Sequence, residues 1–469
     1  MNDAAGGVAP PAGATLHRPP PLPPRPYQFP RFERALLANG LQVVVAPMRK
    51  LPITTVVALI DAGAICGYRG KEGIAGLTSE LLLEGTGDFN GAELMERLER
   101  LGTTIDPSAN WDGTWLTFTA LKEQLAPALA LLAKVMRQPA FPEREVERLK
   151  AERLADLLKL RAEPRGLADV MFSRVLYDPT SRYTMPELGS ERSVPLITRA
   201  DVQRFYGWRY QPHSVTLVIV GDITPDEARR LAERSFGDWA GSTPESCAVV
   251  DRPARHHRAL HIVAKPDAKQ SEVRIGNVGI PRHHRDYHST VVMNAVLGGL
   301  FSSRINLNLR ERHGYTYGAF SHVDWRRYAG PFVVSTAVQS EVTAPAAREA
   351  VSEIERIRQE KVSEDELSLA TSYLDGVFPI RYETTDAIAG ALAALVEYRL
   401  PDDFYDTYRE QVRSVSTEDV LRVAQAHLHP EELQLLIVGD PDTVRTPCES
   451  IGFGSATLYD TEGNALSGE

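Results

Sequence analysis

The feature that most constrains this chain is that it repeats itself. Leu217-Val-Ile-Val-Gly-Asp222 returns as Leu435-Leu-Ile-Val-Gly-Asp440, an offset of 218 residues, and Leu41-Gln-Val-Val-Val-Ala-Pro47 returns as Leu260-His-Ile-Val-Ala-Lys-Pro266, an offset of 219. Two anchors so far apart that agree to one residue mark a duplication, and a repeat of this size is a whole folding unit. Upstream of each Gly-Asp end, Phe205-Tyr-Gly-Trp-Arg-Tyr-Gln-Pro212 faces Ala424-Gln-Ala-His-Leu-His-Pro430. The duplication overrides the three domains that 469 residues would otherwise suggest. It predicts a Pro-rich arm over 1–32, a first copy over 33–240, a linker over 241–258 and a second copy over 259–469.

Within the first copy, β-branched runs bounded by turn formers predict strands at 41–46, 52–61, 115–119 and 216–222. Longer periodic stretches predict helices at 74–84 (stopped by Gly85), 125–137, 142–159 and 225–236. Strands and helices in separate runs give an α+β class, two homologous halves each with a mostly antiparallel sheet packed with helices. Arg18-Pro-Pro-Pro-Leu-Pro-Pro-Arg-Pro26 is polyproline in character and reads as a flexible arm.

A formal net charge of −10 argues against a general nucleic-acid or anionic-membrane binder. No run of about 18 apolar residues exists to insert into a membrane. The three cysteines, Cys66, Cys247 and Cys448, form no CxxC pair. That argues against a disulfide framework and against thiol catalysis, and leaves Cys66 as a small buried apolar residue. No nucleotide loop or Gly-x-Ser-x-Gly elbow is present. The first residues carry no visible leader, so the expected compartment is the cytoplasm if this N-terminus is native and the periplasm if a leader has been removed.

Three stretches point further. The first is Asp61-Ala-Gly-Ala-Ile-Cys-Gly-Tyr68 followed by Gly73-Ile-Ala-Gly-Leu-Thr-Ser-Glu-Leu-Leu-Leu-Glu-Gly-Thr86. The second is Leu297-Gly-Gly-Leu-Phe-Ser-Ser-Arg-Ile305, continuing through Leu309-Arg-Glu-Arg-His-Gly-Tyr-Thr-Tyr317. The third is the pair of strand-ending Val-Gly-Asp repeats. On these stretches, and over about residues 33–445, the chain resembles the insulinase/pitrilysin-type zinc metallopeptidases, including the mitochondrial processing peptidase and bacterial two-subunit relatives. The resemblance implies a clam-shell of two halves. It also implies an inverted motif, His-x-x-Glu-His, on the helix of the first stretch: two His on one helical face share zinc, and the Glu serves as general base.

Laid on this chain, the motif puts Gly76 and Glu80 at the His positions and Ser79 at the base, and the third, acidic ligand falls near Asp156. Glycine has no ligand atom and an unactivated serine is a poor base. No metal or other cofactor is therefore expected in this chain, and Glu80 is expected solvated or ion-paired. In the second half, His283, His284 and His288 are read as surface or partner-facing rather than as a metal site, and the Arg/His cluster at 252–258 as a charged linker.

The second stretch carries the positive expectation. Ser302 would cap a helix running to about Arg312, Gly314 would end it, and Tyr315 and Tyr317 would share one face of a strand. The resemblance assigns Arg310 and Tyr317, seven residues apart, to holding substrate and supporting the oxyanion. Arg304 reads as structural. Gly298-Gly299 is too short to act as a long glycine loop that grips substrate. In two-subunit relatives the chain without zinc lends this pair to the chain that has it, across a closed chamber suited to unfolded peptides. The expected partners are thus a homologous zinc-bearing chain in a heterodimer, and peptide substrates. The alternative is a structural or assembly core protein of the same fold.

Overall fold

The structure, a computed structural model, describes residues 26–466. The polyproline run, all but its last residue, lies outside them. Two six-stranded sheets form the frame. The first contains β1 (Glu33–Leu36), β2 (Gln42–Pro47), β3 (Ile53–Ile60), β4 (Asp106–Ala109), β5 (Thr114–Leu121) and β6 (Val215–Gly221), in the order β1-β2-β6-β3-β5-β4. The second contains β7 (Ala259–Ala264), β8 (Gln270–Val278), β9 (Ala319–Val323), β10 (Pro331–Gln339), β11 (Gln434–Gly439) and β12 (Ala456–Tyr459), in the order β12-β7-β11-β8-β10-β9. In each, one equivalent parallel pair (β2 with β6, β7 with β11) joins an antiparallel meander. The outer edges differ: β1 adds antiparallel to β2, whereas β12 arrives from the chain end and adds parallel to β7.

The pairing corrects the repeat register by two residues. Leu217 of β6 faces Val43, and its counterpart Leu435 faces Leu260, so Val43 and not Leu41 is the structural equivalent of Leu260. A two-residue slip keeps every side chain on its own face, so the sequence pattern could not reveal it.

β6 and β11 are buried along their whole length, which explains their unbroken apolar runs. β5 alternates buried and more open positions with period two. Each sheet is covered partly by the other copy. The helix Thr385–Glu397, from the second copy, lies over β3 and β6, and the helix Pro164–Leu176, from the first, lies over β8 and β11. Val57, Val218 and Val220 accordingly share one core with Ile388 and Leu392. The copies are interlocked through this exchange of helices. A polar knot adds to it: Arg327 donates to Asp61 at 2.8 Å through its guanidinium and to Asp112 at 2.8 Å through its backbone N–H.

The segment 241–258 is tied down as well. Cys247 forms a disulfide with Cys66, 181 residues away, which corrects both the expectation of no disulfide and the reading of Cys66 as a free apolar residue. Spacing gave no hint, because the pairing exists only once the chain folds back over the first sheet. Arg252 pairs with Asp178 at 2.9 Å and Arg258 donates to the Pro430 carbonyl at 2.6 Å, so the basic cluster is anchored rather than free. Among the described residues no helix is long and apolar enough to cross a membrane.

Candidate functional site

The zinc-motif helix is Ile74–Leu81, shorter than the sequence predicts, with the chain turning on to Gly85 at φ +138°. The long helix Glu143–Ala162 packs against it and brings Asp156 to the same cavity, of about 500 Å³, as Glu80. The place of a metal between these positions is filled by an arginine. Arg153 is buried, its Nη2 lies 2.5 Å from the Glu80 carboxylate, and its Nη1 donates to the Leu188 carbonyl at 3.2 Å. A Cβ on Gly76 would sit 3.3 Å from the same guanidinium. The glycine that replaces the first His therefore leaves room for the arginine, at the cost of about 1 kcal/mol of helix propensity against alanine.

The remaining positions are equally committed. The Ser79 hydroxyl donates to the Gly76 carbonyl at 2.7 Å, within its own helix, and has no base beside it. Burial raises the Glu80 carboxyl above its ordinary range; Arg153 opposes this, and nearby Asp156 and Glu152 add to it. Asp156 is exposed on the cavity wall, and Glu84, Glu145 and Glu152 are spent on Arg148 at 2.5–2.7 Å. One oxygen ligand already bound to a guanidinium, one exposed carboxylate and no imidazole do not make a zinc site. Sequence reasoning missed Arg153. The available signal was its position one turn before Asp156, on the same face of the long helix.

The second region is built on buried polar anchors. Asn306 is fully buried; it donates to the Phe301 carbonyl at 2.6 Å and accepts from the Ala319 N–H at 3.1 Å. Arg304 makes a fork to Glu366 at 2.6 and 2.9 Å, the structural part expected of it. The helix starts at Arg304, after Ser303, and no Ser side chain caps it, so the Ser302 cap is not formed. From Leu307 to Arg312 the coil widens to π geometry, a form concentrated at functional sites. Gly314 ends it at φ +65°, as predicted.

The strand begins later than predicted, at Ala319, so Tyr315 and Tyr317 do not share a strand face. Tyr315 stacks on His313 and packs against the core, whereas Tyr317 is 97% exposed. The cause is Thr316, whose hydroxyl donates to the Ala337 carbonyl at 2.8 Å and holds a turn between the tyrosines. Arg310 lies 4.5 Å from the Phe301 ring centre and 3.5 Å from the Glu311 carboxylate, and its Nη1 makes no hydrogen bond. Gly298 packs within 2.6 Å (to an added Cβ) of the Ser321 backbone, so it serves close packing against β9.

The histidines fall differently from expectation. Of the three, His283 alone is exposed. His288 stacks on Phe404 at 5.4 Å, and burial pulls its pKa down to about 4. His284 accepts from the Asp286 N–H at 3.1 Å, and the Asp286 carboxylate pairs with His427 at 2.7 Å and Arg422 at 2.9 Å. These groups satisfy one another and lash the helix Thr417–His427 to the helix Tyr287–Asn294.

Comparison with known proteins fits this geometry. Residues 43–181 match the model of the insulinase family (peptidase family M16), and residues 196–374 match that of the peptidase M16 inactive domain. Among similar proteins, the non-peptidase homolog YmxG of Helicobacter pylori is 21% identical over 83% of this chain and 90% of its own length. The zinc protease PqqE of the same organism is 23% identical over 85% and 90%. A solved peptidase M16 inactive domain from Pseudomonas fluorescens superposes with a TM-score of 0.82, 24% identity and coverage of 87% of this chain and 98% of that one. A protease from Helicobacter pylori gives 0.81, 20%, 88% and 100%.

Proposed function

From the premise that this chain belongs to the insulinase (M16) peptidase family and lacks that family's catalytic motif, we propose that it is the metal-free chain of a two-chain zinc endopeptidase. Its partner is a homologous chain that carries His-x-x-Glu-His. The observation that supports this best is the state of the Arg310/Tyr317 pair. Tyr317 presents its ring and hydroxyl to solvent. Arg310 is half-buried, and among the described residues its guanidinium meets the Phe301 ring and, 3.5 Å away, the carboxylate of its neighbour Glu311, so no distant element claims it.

In this reading the partner's zinc supplies the activated water and polarises the scissile carbonyl. This chain's part is to bind and orient. The Arg310 guanidinium offers parallel donors to a peptide carbonyl or carboxylate. The Tyr317 hydroxyl donates to the oxygen on which negative charge develops. Thr316 and Asn306 fix the two ends of the segment, so little ordering is required when peptide arrives.

The test is the complex captured from source cells through this chain, with zinc counted per assembly and peptide cleavage assayed. One zinc per pair of unlike chains is expected. Arg310→Ala and Tyr317→Phe should each lower kcat by about 10²–10³, as loss of an oxyanion donor does, with zinc content unchanged. Full activity of both variants would overturn the role. An assembly or scaffold role is the second reading, favoured by the contact of Arg310 with Glu311; it predicts no cleavage by the complex and an intact complex in both variants.

A further inference from the structure

A cleft separate from the Arg310/Tyr317 surface lies where the two copies meet. It encloses about 720 Å³ between the long helix, the helix Pro164–Leu176 and the loop 185–192. Its floor is apolar, with Leu157, Leu160, Val170 and Met171. Its rim carries Arg161, Arg174 and Arg192, with Glu72 and Glu191 beside them. It runs on, past Leu157, Leu160 and Pro186, into a second cavity of about 270 Å³ that reaches Glu187 and His322.

The chain's own C-terminal segment closes the rim. After β12 the chain makes a hairpin, held by Asp460, that crosses from the second sheet to the first copy's helices. The Glu462 carboxylate lies 3.5 Å from Arg161 and 3.3 Å from Arg192, and its carbonyl accepts from Arg174 at 3.3 Å. Asn464 accepts from Arg192 at 3.0 Å, and Glu191 competes for Arg161 at 3.0 Å. Gly463, at φ +78°, approaches so closely that a Cβ would lie 2.3 Å from Arg174 and 2.8 Å from the Met171 sulfur.

Two properties of this contact matter. It is shaped for the tail, since the φ of +78° at Gly463 favours glycine and any side chain there would push Arg174 and Met171 aside. It is also weak and incomplete. Arg192 is 74% and Glu462 50% exposed, and pairs this exposed to water hold little. Thr461, Gly463 and Asn464 offer no large apolar side chain to the floor beneath. The tail meets the charge of the rim and covers Met171 at Gly463, but it leaves Leu160 and Val170 only half-buried.

We propose that this cleft is a peptide-binding site for an extended segment in which an acidic side chain follows a large apolar one, and that the C-terminal hairpin occupies it in cis as a displaceable plug. A tethered tail acts at an effective concentration of the order of mM, so it screens out weak ligands. A peptide that adds an apolar side chain gains burial the tail lacks, at about 25 cal/mol per Å². The proposal does not depend on the split zinc site.

The test uses the full chain and a fluorescein-labelled peptide of the tail sequence 457–464 carrying Thr461→Leu, with the same peptide carrying Glu462→Lys as control. In fluorescence anisotropy, the protein variants Gly463→Val and Glu462→Ala should bind the Leu peptide about tenfold tighter than the unchanged chain does. Adding Arg192→Glu and Arg161→Glu should remove the binding. Glu462→Ala is a surface change that spares the fold, so it reports even if Gly463→Val melts early. Equal affinity in the unchanged chain and both variants, equal binding of the Lys peptide, or no binding by any protein would overturn the proposal.

Discussion

If the Arg153 guanidinium stands where a metal stood, removing it should strand the carboxylate it neutralises. Arg153→Met keeps most of the aliphatic stem and deletes the charge. Breaking a fully buried ion pair from one side costs about 3–5 kcal/mol. The Glu80 side chain is 38% exposed, so solvent recovers roughly half, leaving about 1.5–2.5 kcal/mol. For a unit of this size that is a fall of about 4–8 °C in Tm. The Glu80 carboxyl already lies above its ordinary value, by burial, and loses the group that opposes the rise. An acid whose folded value is raised stabilises the fold when protonated; that stability is fully present below the unfolded value near 4.5 and is lost as pH rises through the folded one. The deficit of Arg153→Met should therefore shrink as pH falls from 7 towards 4.5. It should shrink equally at pH 7 when Glu80→Gln is added. The assay is thermal and urea unfolding of the four proteins of this double-mutant cycle at both pH values. Additive effects within about 0.3 kcal/mol at pH 7, or a deficit independent of pH, would refute the account.

Zinc should not bind at the motif helix: equilibrium dialysis of the unchanged chain should leave that site empty, and Gly76→His with Ser79→Glu and Glu80→His should gain zinc only when Arg153→Leu is also present. Purified without reductant, the chain should show the Cys66–Cys247 link by peptide mapping. Replacing both cysteines with alanine should lower unfolding stability by about 3–5 kcal/mol, given a closed loop of 181 residues. Glu187, whose pKa burial pushes up to about 7, should make the fold less stable as pH rises from about 4.5 through 7. Glu187→Gln should flatten that dependence in a Tm-against-pH series, and an unchanged slope would remove Glu187 from the explanation.

The sequence disclosed what repeats and what is periodic. The Val-Gly-Asp strand ends, the buried run of β6 and the helix Leu125–Arg137 all stand where pattern puts them. It did not disclose what depends on distant pieces meeting. The Cys66–Cys247 pair, the exchange of covering helices between the copies and the Asp286–His427 pair join distant parts of the chain, 181 positions apart in the first and 141 in the last. No local spacing encodes such contacts. At the candidate site, Gly76, Ser79 and Glu80 declared by identity alone that the motif was gone, whereas the group that took the metal's place had to be seen. Tyr315 and Tyr317 show the complementary failure. Period-two reasoning put them on one face, and a single Thr316 hydroxyl bonded to Ala337 separates them.

The two ends of the proposed split site differ in what they do for the chain itself, and this difference bears on function. Arg153 and Glu80 stabilise their own fold, and Gly76 gives them space, so the former metal position is explained by the chain's needs alone. Tyr317 cannot be explained that way. At 97% exposure its ring buries almost no area and its hydroxyl bonds to nothing in the chain, so truncating it costs the fold almost nothing. Two more exposed aromatics flank it: Phe301, in the turn before the π-coil and against Arg310, and Phe320, on the strand after it. Exposed aromatic rings beside an arginine are the composition of a contact surface, where Tyr and Arg supply most of the binding energy. The stability of the chain thus accounts for the first half of the site, whereas the fold draws almost nothing from Tyr317 in the second.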